Sequence, residues 1–139
     1  MLLVHTPTGL PGFDTARDWV LEGDDTRVFS LLRNLEEPSI GLLVTQPWDL
    51  APGYEPDLPD EELTLMGVDG PGDVSLYVVA TIAGSATEDG ARTVLLNLAA
   101  PIVLHNRTGI ARQVILDRQG WPLRHPVVAR DAAAHSVEG

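Results

Sequence analysis

The sequence predicts an all-β fold, a single small antiparallel β-barrel or sandwich with one short helix. The first observation behind this prediction is a series of apolar runs, about 3 to 9 residues long and rich in Val, Ile, Leu and Thr. The second is the spread of 13 Gly and 11 Pro between those runs, as turns rather than as a linker. The third is size, because 139 residues with 44% apolar content suit one domain with a real core.

Nine apolar runs are predicted strands. They span residues 2–5, 19–21, 28–32, 40–45, 74–82, 93–98, 102–104, 113–116 and 127–129. The clearest turns lie at residues 70–73, 88–90 and 106–109, where Gly and Asn tolerate positive φ at little cost. Residues 109–112 stand between two apolar runs and predict the end of a hairpin.

One short helix is predicted near residues 58–66. Asp57 or Asp60 could cap it, and the acidic residues at 60–62 suit the positive end of its dipole. Gly67 would end it. Three apolar side chains would then face the core, those of Leu58, Leu63 and Met66.

The predicted domain covers residues 1–130, and residues 131–139 form a flexible tail of small residues. The chain has no Cys, which excludes disulfides and thiolate metal sites. Its first five residues are too short for a signal-peptide core, and no run approaches the ~18 apolar residues of a membrane span. These features predict a cytoplasmic protein with no membrane partner.

Charge is distributed unevenly along the chain. Residues 34–91 hold twelve carboxylates and no Lys, Arg or His, whereas six of the nine arginines fall between Arg92 and Arg130. Such a segment repels phosphate and attracts basic proteins, so it predicts a positively charged protein partner and no nucleic acid. A genome-wide bias toward acidic residues would explain the same composition without any partner.

No catalytic residue, metal site or cofactor is predicted. The four histidines lack the spacing of a metal pair, and Ser85 lacks the second Gly of a nucleophile elbow. Carboxylates are so abundant that a pair like that of a glycosidase would be weak evidence for catalysis. Trp19 is predicted to lie in the core, whereas the loop residues Trp48 and Trp121 could anchor an interface or cover one end of a barrel. The alternative function is therefore a small β-barrel enzyme or carbohydrate-binding module that uses Trp48, Trp121 and nearby carboxylates.

Several segments resemble one known family. Residues 9–13 read Gly-Leu-Pro-Gly-Phe, and residues 40–47 form a predicted strand that ends in Gln-Pro. Tyr54, Glu55 and Leu58 follow in the pattern Tyr-Glu-x-x-Leu, just before the predicted helix. The most specific segments are residues 97–103, 113–116 and 124–126. Their order and spacing are similar to those of the FliW family of flagellar assembly factors over roughly residues 9–128. The chain departs from the family pattern at residues 33–34, at Asp49, and at His105, where Asn is usual.

The resemblance implies a regulator that binds proteins and has no chemistry of its own. Members of this family bind CsrA, a small basic RNA-binding dimer, and relieve its repression of flagellin translation; they also bind flagellin. The candidate partner-binding residues are Trp48, Tyr54, Glu55, Asp57, Asp60, Glu61, Glu62, Asn97, Gln113, Arg124 and His125. Each has a structural alternative. The acidic group could be a solvated helix end, and Asn97 is expected first to satisfy backbone groups.

Overall fold

The computed structural model describes residues 2–10, 12–23 and 27–129, and the predicted tail at 131–139 lies outside them. Eight of the nine predicted runs form strands within this part of the chain, and the run at residues 113–116 overlaps the ninth strand only at Gln113. The strands are β1 (Leu2–His5), β2 (Asp18–Glu22), β3 (Phe29–Asn34), β4 (Gly41–Thr45), β5 (Val74–Ala83), β6 (Arg92–Leu96), β7 (Ile102–His105), β8 (Ala111–Gln113) and β9 (His125–Ala129). One α-helix, α1 (Asp60–Leu65), lies between β4 and β5, together with two single-turn 3-10 helices, Pro47–Asp49 and Pro71–Asp73. The all-β prediction with one short helix is confirmed.

Seven of the strands form a ring. Strands β1 to β5 pair in sequence order, β7 pairs with β5, and β8 pairs with β7, all antiparallel. The ring closes where the His5 amide donates to the Gly109 carbonyl at 2.8 Å, beside a parallel bridge between His5 and Ile110. Closure removes an exposed pair of strand edges, which would otherwise invite pairing with other chains.

Side chains that point into the ring form one hydrophobic cluster, called here the barrel cluster. Its buried members are Val4, Leu10, Ala16, Trp19, Leu32, Val44, Ile102, Leu104 and Ala111. Because side chains alternate along a strand, each of these strands contributes its inward-facing residues to this cluster. Trp19 is fully buried there, as the sequence predicts, and its indole N–H donates to the Thr6 hydroxyl at 3.1 Å.

A second cluster lies on the outer face of β3, β4 and β5. Strand β6 pairs with the C-terminal half of β5, and β9 pairs with β6, which extends the sheet beyond the ring. Residues 47–68 cross over this face. The cluster includes Phe29, Ala51, Tyr54, Met66, Leu76, Val78, Val94, Leu96, Leu98, Val103, Val114 and Leu116. Leu58, Leu63 and Met66 pack into it, as the helix prediction requires.

Two local predictions are wrong. Pro59, not Asp57 or Asp60, occupies the position before α1, and no side chain caps the helix. The eighth strand is Ala111–Gln113 rather than residues 113–116, although Val114 and Leu116 still donate to the Pro101 and Ala99 carbonyls at 2.8 Å. The apolar pattern continues through residues 114–116, so it does not predict that the regular ladder ends at Gln113.

None of the helices in the described ranges is long and apolar enough to cross a membrane.

Candidate protein-interaction site

Residues 54–62, called here the acidic segment, run across the second cluster toward the arginine-rich part of the chain. The segment contains Tyr54 and five carboxylates, and α1 begins within it. A short segment with Pro at 56 and 59 has few backbone bonds of its own, so its position depends on contacts with other elements.

Tyr54 is the main internal anchor of the acidic segment. Its side chain is 2% exposed, and its hydroxyl donates to the Leu98 carbonyl at 2.7 Å. Its ring meets that of Trp121 edge to face, with centroids 4.8 Å apart. Burial raises the pKa of the Tyr54 hydroxyl above its ordinary value. The structure therefore places this predicted contact residue beneath the surface, where it supports its neighbours.

Two further contacts hold the acidic segment on the C-terminal third. The Asp57 amide donates to Gln119 Oε1 at 2.9 Å, and Gln119 Nε2 donates back to the Asp57 carbonyl at 2.7 Å. Arg112 Nε donates to Glu62 Oε2 at 2.7 Å, with both side chains roughly three-quarters buried. A carboxylate from residues 34–91, which contain no Lys, Arg or His, is thus paired with an arginine from outside that range. The sequence prediction missed Arg112 and Gln119, because partners 50 and 62 residues away leave no local signal.

The outer surface of the acidic segment is strongly negative. Glu55, Asp57, Asp60 and Glu61 are exposed. Within the described part of the chain, the Asp60 and Glu61 side chains make no hydrogen bond or ion pair. Because the segment is fixed from below, these carboxylates are presented to solvent in a defined arrangement that an approaching cationic partner would meet first.

Trp48 and Trp121 both contact Tyr54. The Trp48 indole N–H donates to the Tyr54 carbonyl at 2.9 Å, while 44% of the side chain remains exposed. Trp121 is half-buried against the Tyr54 ring. Trp121 therefore helps to cover the second cluster, whereas Trp48 presents an aromatic surface next to the acidic segment.

The other predicted contact residues lie around the connection between β6 and β7. Asn97 Oδ1 accepts from the Ala99 amide at 3.2 Å, which is the backbone role expected for it. Gln113 Nε2 donates to the Ala100 carbonyl at 3.0 Å. Arg124 is exposed, and His125 is half-buried at the start of β9. Asn97 and Gln113 thus stabilise the loop whose Leu98 carbonyl receives Tyr54, whereas Arg124 is open to solvent.

His105 has a structural role that explains one departure from the expected pattern. The ring is fully buried, and its Nδ1 accepts from the amides of Arg107 and Thr108 at 3.2 and 3.4 Å. An Asn side-chain oxygen at the same place can accept the same kind of bond, since Asn commonly bonds backbone amides within a turn. His105 therefore stabilises the turn that closes the barrel.

Comparison with known proteins identifies the family. A family model described as FliW protein matches residues 2–127 of this chain. The chain belongs to the FliW family. Membership confirms the resemblance seen in the sequence and makes this protein a non-catalytic flagellar assembly factor. The alternative of a small β-barrel enzyme is wrong, and the two loop tryptophans that suggested it are engaged with Tyr54.

Named relatives and one solved structure agree with this assignment. The flagellar assembly factor FliW of Geobacillus kaustophilus is 32% identical over 123 residues, covering 88% of this chain and 82% of the relative. That of Desulfitobacterium hafniense is 31% identical over 141 residues, covering 99% and 88%. A crystal structure of the flagellar assembly factor FliW superposes with a TM-score of 0.77 at 32% identity, covering 88% of this chain and 83% of that one.

Proposed function

We propose that this FliW family member acts by binding alone: it binds CsrA, relieves CsrA repression of flagellin translation, and also binds flagellin. Family membership and the exposed carboxylates of the acidic segment support this function. A site with no reactive pair of groups but a fixed charged surface suits recognition rather than catalysis. Both partners are met where translation occurs, so we place the protein in the cytoplasm.

The acidic segment is the proposed contact for CsrA. A formal charge of −11 and the carboxylates at positions 55–62 would draw a basic RNA-binding protein toward this face. Such steering mainly raises the association rate and weakens as salt screens it, with a Debye length of about 10 Å at 0.1 M. The same charges disfavour RNA, so a CsrA dimer held here would be approached by RNA less readily.

The first prediction concerns Asp60→Lys combined with Glu61→Lys. Both side chains are exposed and unbonded within the described ranges, so the only stability lost is their favourable interaction with the N-terminal end of α1. The free energy of unfolding should fall by about 1 kcal/mol. The local charge changes by four units, so the association rate with purified CsrA should fall about tenfold at low salt. Stopped-flow or biosensor kinetics over a salt series would measure this, with thermal unfolding as the check on folding.

A charge-matched control separates a local from a global effect. Glu37→Lys with Glu88→Lys makes the same change in net charge at exposed positions outside the acidic segment. It should slow association less than the first pair. Equal slowing by the two pairs would move the contact away from the acidic segment, and absence of binding to both CsrA and flagellin at low salt would refute the proposed function.

A further inference from the structure

A cleft on the outer face of β1 and β2 lies apart from the acidic segment. Its lining includes Leu3 and His5 of β1, Asp18 of β2, Leu35 after β3, and Thr108 and Gly109 of the turn between β7 and β8. Two members of the barrel cluster, Val4 and Trp19, also line it. Strand register places Leu3 opposite Val20 and His5 opposite Asp18, and the Leu35 amide donates to the Asp18 carbonyl at 2.9 Å. Leu3, His5 and Asp18 therefore share the outer face of the sheet, and the feature is called here the β1–β2 cleft.

The floor of the β1–β2 cleft is apolar. Leu3 is 68% exposed and Leu35 is 48% exposed. Val20, on the same face, is 6% exposed yet belongs to neither hydrophobic cluster. Residues 47–68 cover the outer face of β3 to β5, but this part of the sheet keeps two large aliphatic side chains in solvent. Exposed leucines gathered in a concavity indicate a binding surface more strongly than leucines scattered singly.

The rim of the cleft is acidic. Glu36 Oε1 accepts from the Asp18 main-chain amide at 3.2 Å, which places the Glu36 carboxylate beside Asp18 at one end of the cleft. His5 Nδ1 lies 2.8 Å from Asp18 Oδ1, and both side chains are about half exposed, so the second Asp18 oxygen remains open to a partner. The neighbouring ion pair on this face, between Arg33 and Glu22, adds no net charge to the cleft. The rim therefore favours a cation next to whatever fills the apolar floor.

We infer that the β1–β2 cleft docks a segment of a protein partner in which an aliphatic side chain lies next to a Lys or Arg. The aliphatic group fills the space between Leu3 and Leu35, and the cation meets Asp18 and Glu36. This surface is additional to the acidic segment and does not require CsrA or flagellin to be its partner. An acidic rim disfavours phosphate, so nucleic acids and anionic lipid surfaces do not fit it.

A peptide titration followed by amide NMR tests the inference directly. The probe is acetyl-Gly-Leu-Arg-Gly-amide added to the uniformly labelled full chain at millimolar concentration. The expected result is a saturable shift of the amides of Leu3, His5, Leu35, Thr108 and Gly109. Replacing Arg of the peptide with Glu should weaken binding about fivefold, since an exposed ion pair contributes little more than that. Replacing Leu of the peptide with Ser should remove the shifts.

Two variants of the chain complete the test. Leu35→Ser should abolish the shifts, whereas Leu123→Ser, at a residue 66% exposed elsewhere, should leave them intact. Asp18→Asn should reduce the preference for Arg over Glu while retaining binding of Leu. Shifts that survive Leu35→Ser, equal binding of the Arg and Glu peptides, or no saturable shift on this face would overturn the inference. Because neither CsrA nor flagellin is used, the result is independent of the proposed function.

Discussion

At the scale of single residues, Tyr54 shows how a residue can matter to a surface without belonging to it. Its hydroxyl bonds a main-chain carbonyl 44 residues away, and both loop tryptophans contact it. A pattern of residues near position 54 could suggest that Tyr54 is important, but it could not distinguish a contact from a support. The distinction depends on burial, which tertiary packing decides.

Tyr54→Phe tests this supporting role. Loss of the hydroxyl leaves the Leu98 carbonyl without its buried donor, so the free energy of unfolding should fall by about 1 to 2 kcal/mol in urea titrations near neutral pH. The proposed binding of CsrA should be retained, because every carboxylate of the acidic segment is unchanged. A variant as stable as the parent would show that water or another group replaces the hydroxyl.

The same substitution should change the dependence of stability on alkaline pH. Burial raises the pKa of folded Tyr54 above the value of about 10 expected in the unfolded chain. The unfolded state therefore loses this proton first, and the stabilisation, complete below about pH 10, is lost as the pH rises further. Urea midpoints measured from pH 8 to 11 should decline less steeply in Tyr54→Phe than in the parent. Parallel curves would contradict this assignment.

At the scale of secondary-structure elements, β9 forms a sheet edge that is protected by proline. The Asn97 amide donates to the Val79 carbonyl at the end of the β5–β6 ladder. Main-chain groups of alternate residues in β6 therefore form hydrogen bonds with β5, and those of the residues between them form hydrogen bonds with β9. In this register the main-chain N–H and C=O groups of His125, Val127 and Ala129 point toward β6. The main-chain groups of Pro126 and Val128 point toward the open edge. Pro126 thus removes an outward N–H without costing a ladder bond.

Pro126→Val should allow the β9 edge to pair with the β9 edge of a second chain. The substitution restores an outward N–H beside Val128, which is 71% exposed, so two chains could pair edge to edge. Sedimentation velocity should show a concentration-dependent dimer, favoured by salt because the chain carries a formal charge of −11. Pro126→Val with Val128→Lys provides the control, since a lysine on an edge strand opposes such pairing. A dimer unaffected by that lysine would point to a different interface.

The elements also show which parts of the fold could be predicted from sequence. Short Val- and Ile-rich runs between Gly and Pro turns identify eight of the nine strands, because both signals are local. The run at 113–116 misses β8 except for Gln113. The predicted cap of α1 is wrong, since Pro59 occupies the position before the helix and neither Asp57 nor Asp60 caps it. The contacts of Arg112 with Glu62 and of Gln119 with Asp57 could not be predicted, because they depend on how distant elements pack.

At the scale of the whole molecule, the fold brings the two charge regions together without neutralising them. Arg112 reaches Glu62 on the inner side of the acidic segment, while Asp60 and Glu61 stay open on its outer side. The arginine therefore contributes to fixing the segment in place, and the remaining carboxylates supply the field. Charge composition could predict the sign of the surface, but only packing decides which carboxylates face a partner.

Closure of the barrel depends on a close approach between two main chains at Gly109. This residue has φ of +77°, and a Cβ placed on it would lie 2.8 Å from the Leu3 carbonyl oxygen. Gly109→Ala should therefore strain the turn and also push β1 away, lowering the free energy of unfolding by more than about 2 kcal/mol. The His5 amide, which donates to the Gly109 carbonyl, should then exchange with solvent much faster.

Gly120→Ala isolates the contribution of that close approach. Gly120 has nearly the same φ, +78°, but a Cβ there meets no atom within 4 Å. The control substitution should cost only the ~1 kcal/mol of an unfavourable backbone conformation and leave exchange at His5 unchanged. The difference between the two variants then measures how strongly the contact of β1 with the β7–β8 turn contributes to closing the barrel. The two variants could instead lose equal free energy of unfolding and show equal exchange rates at the His5 amide. In that case the other strand pairs hold the ring closed, and the contact of β1 with the turn contributes little to closure.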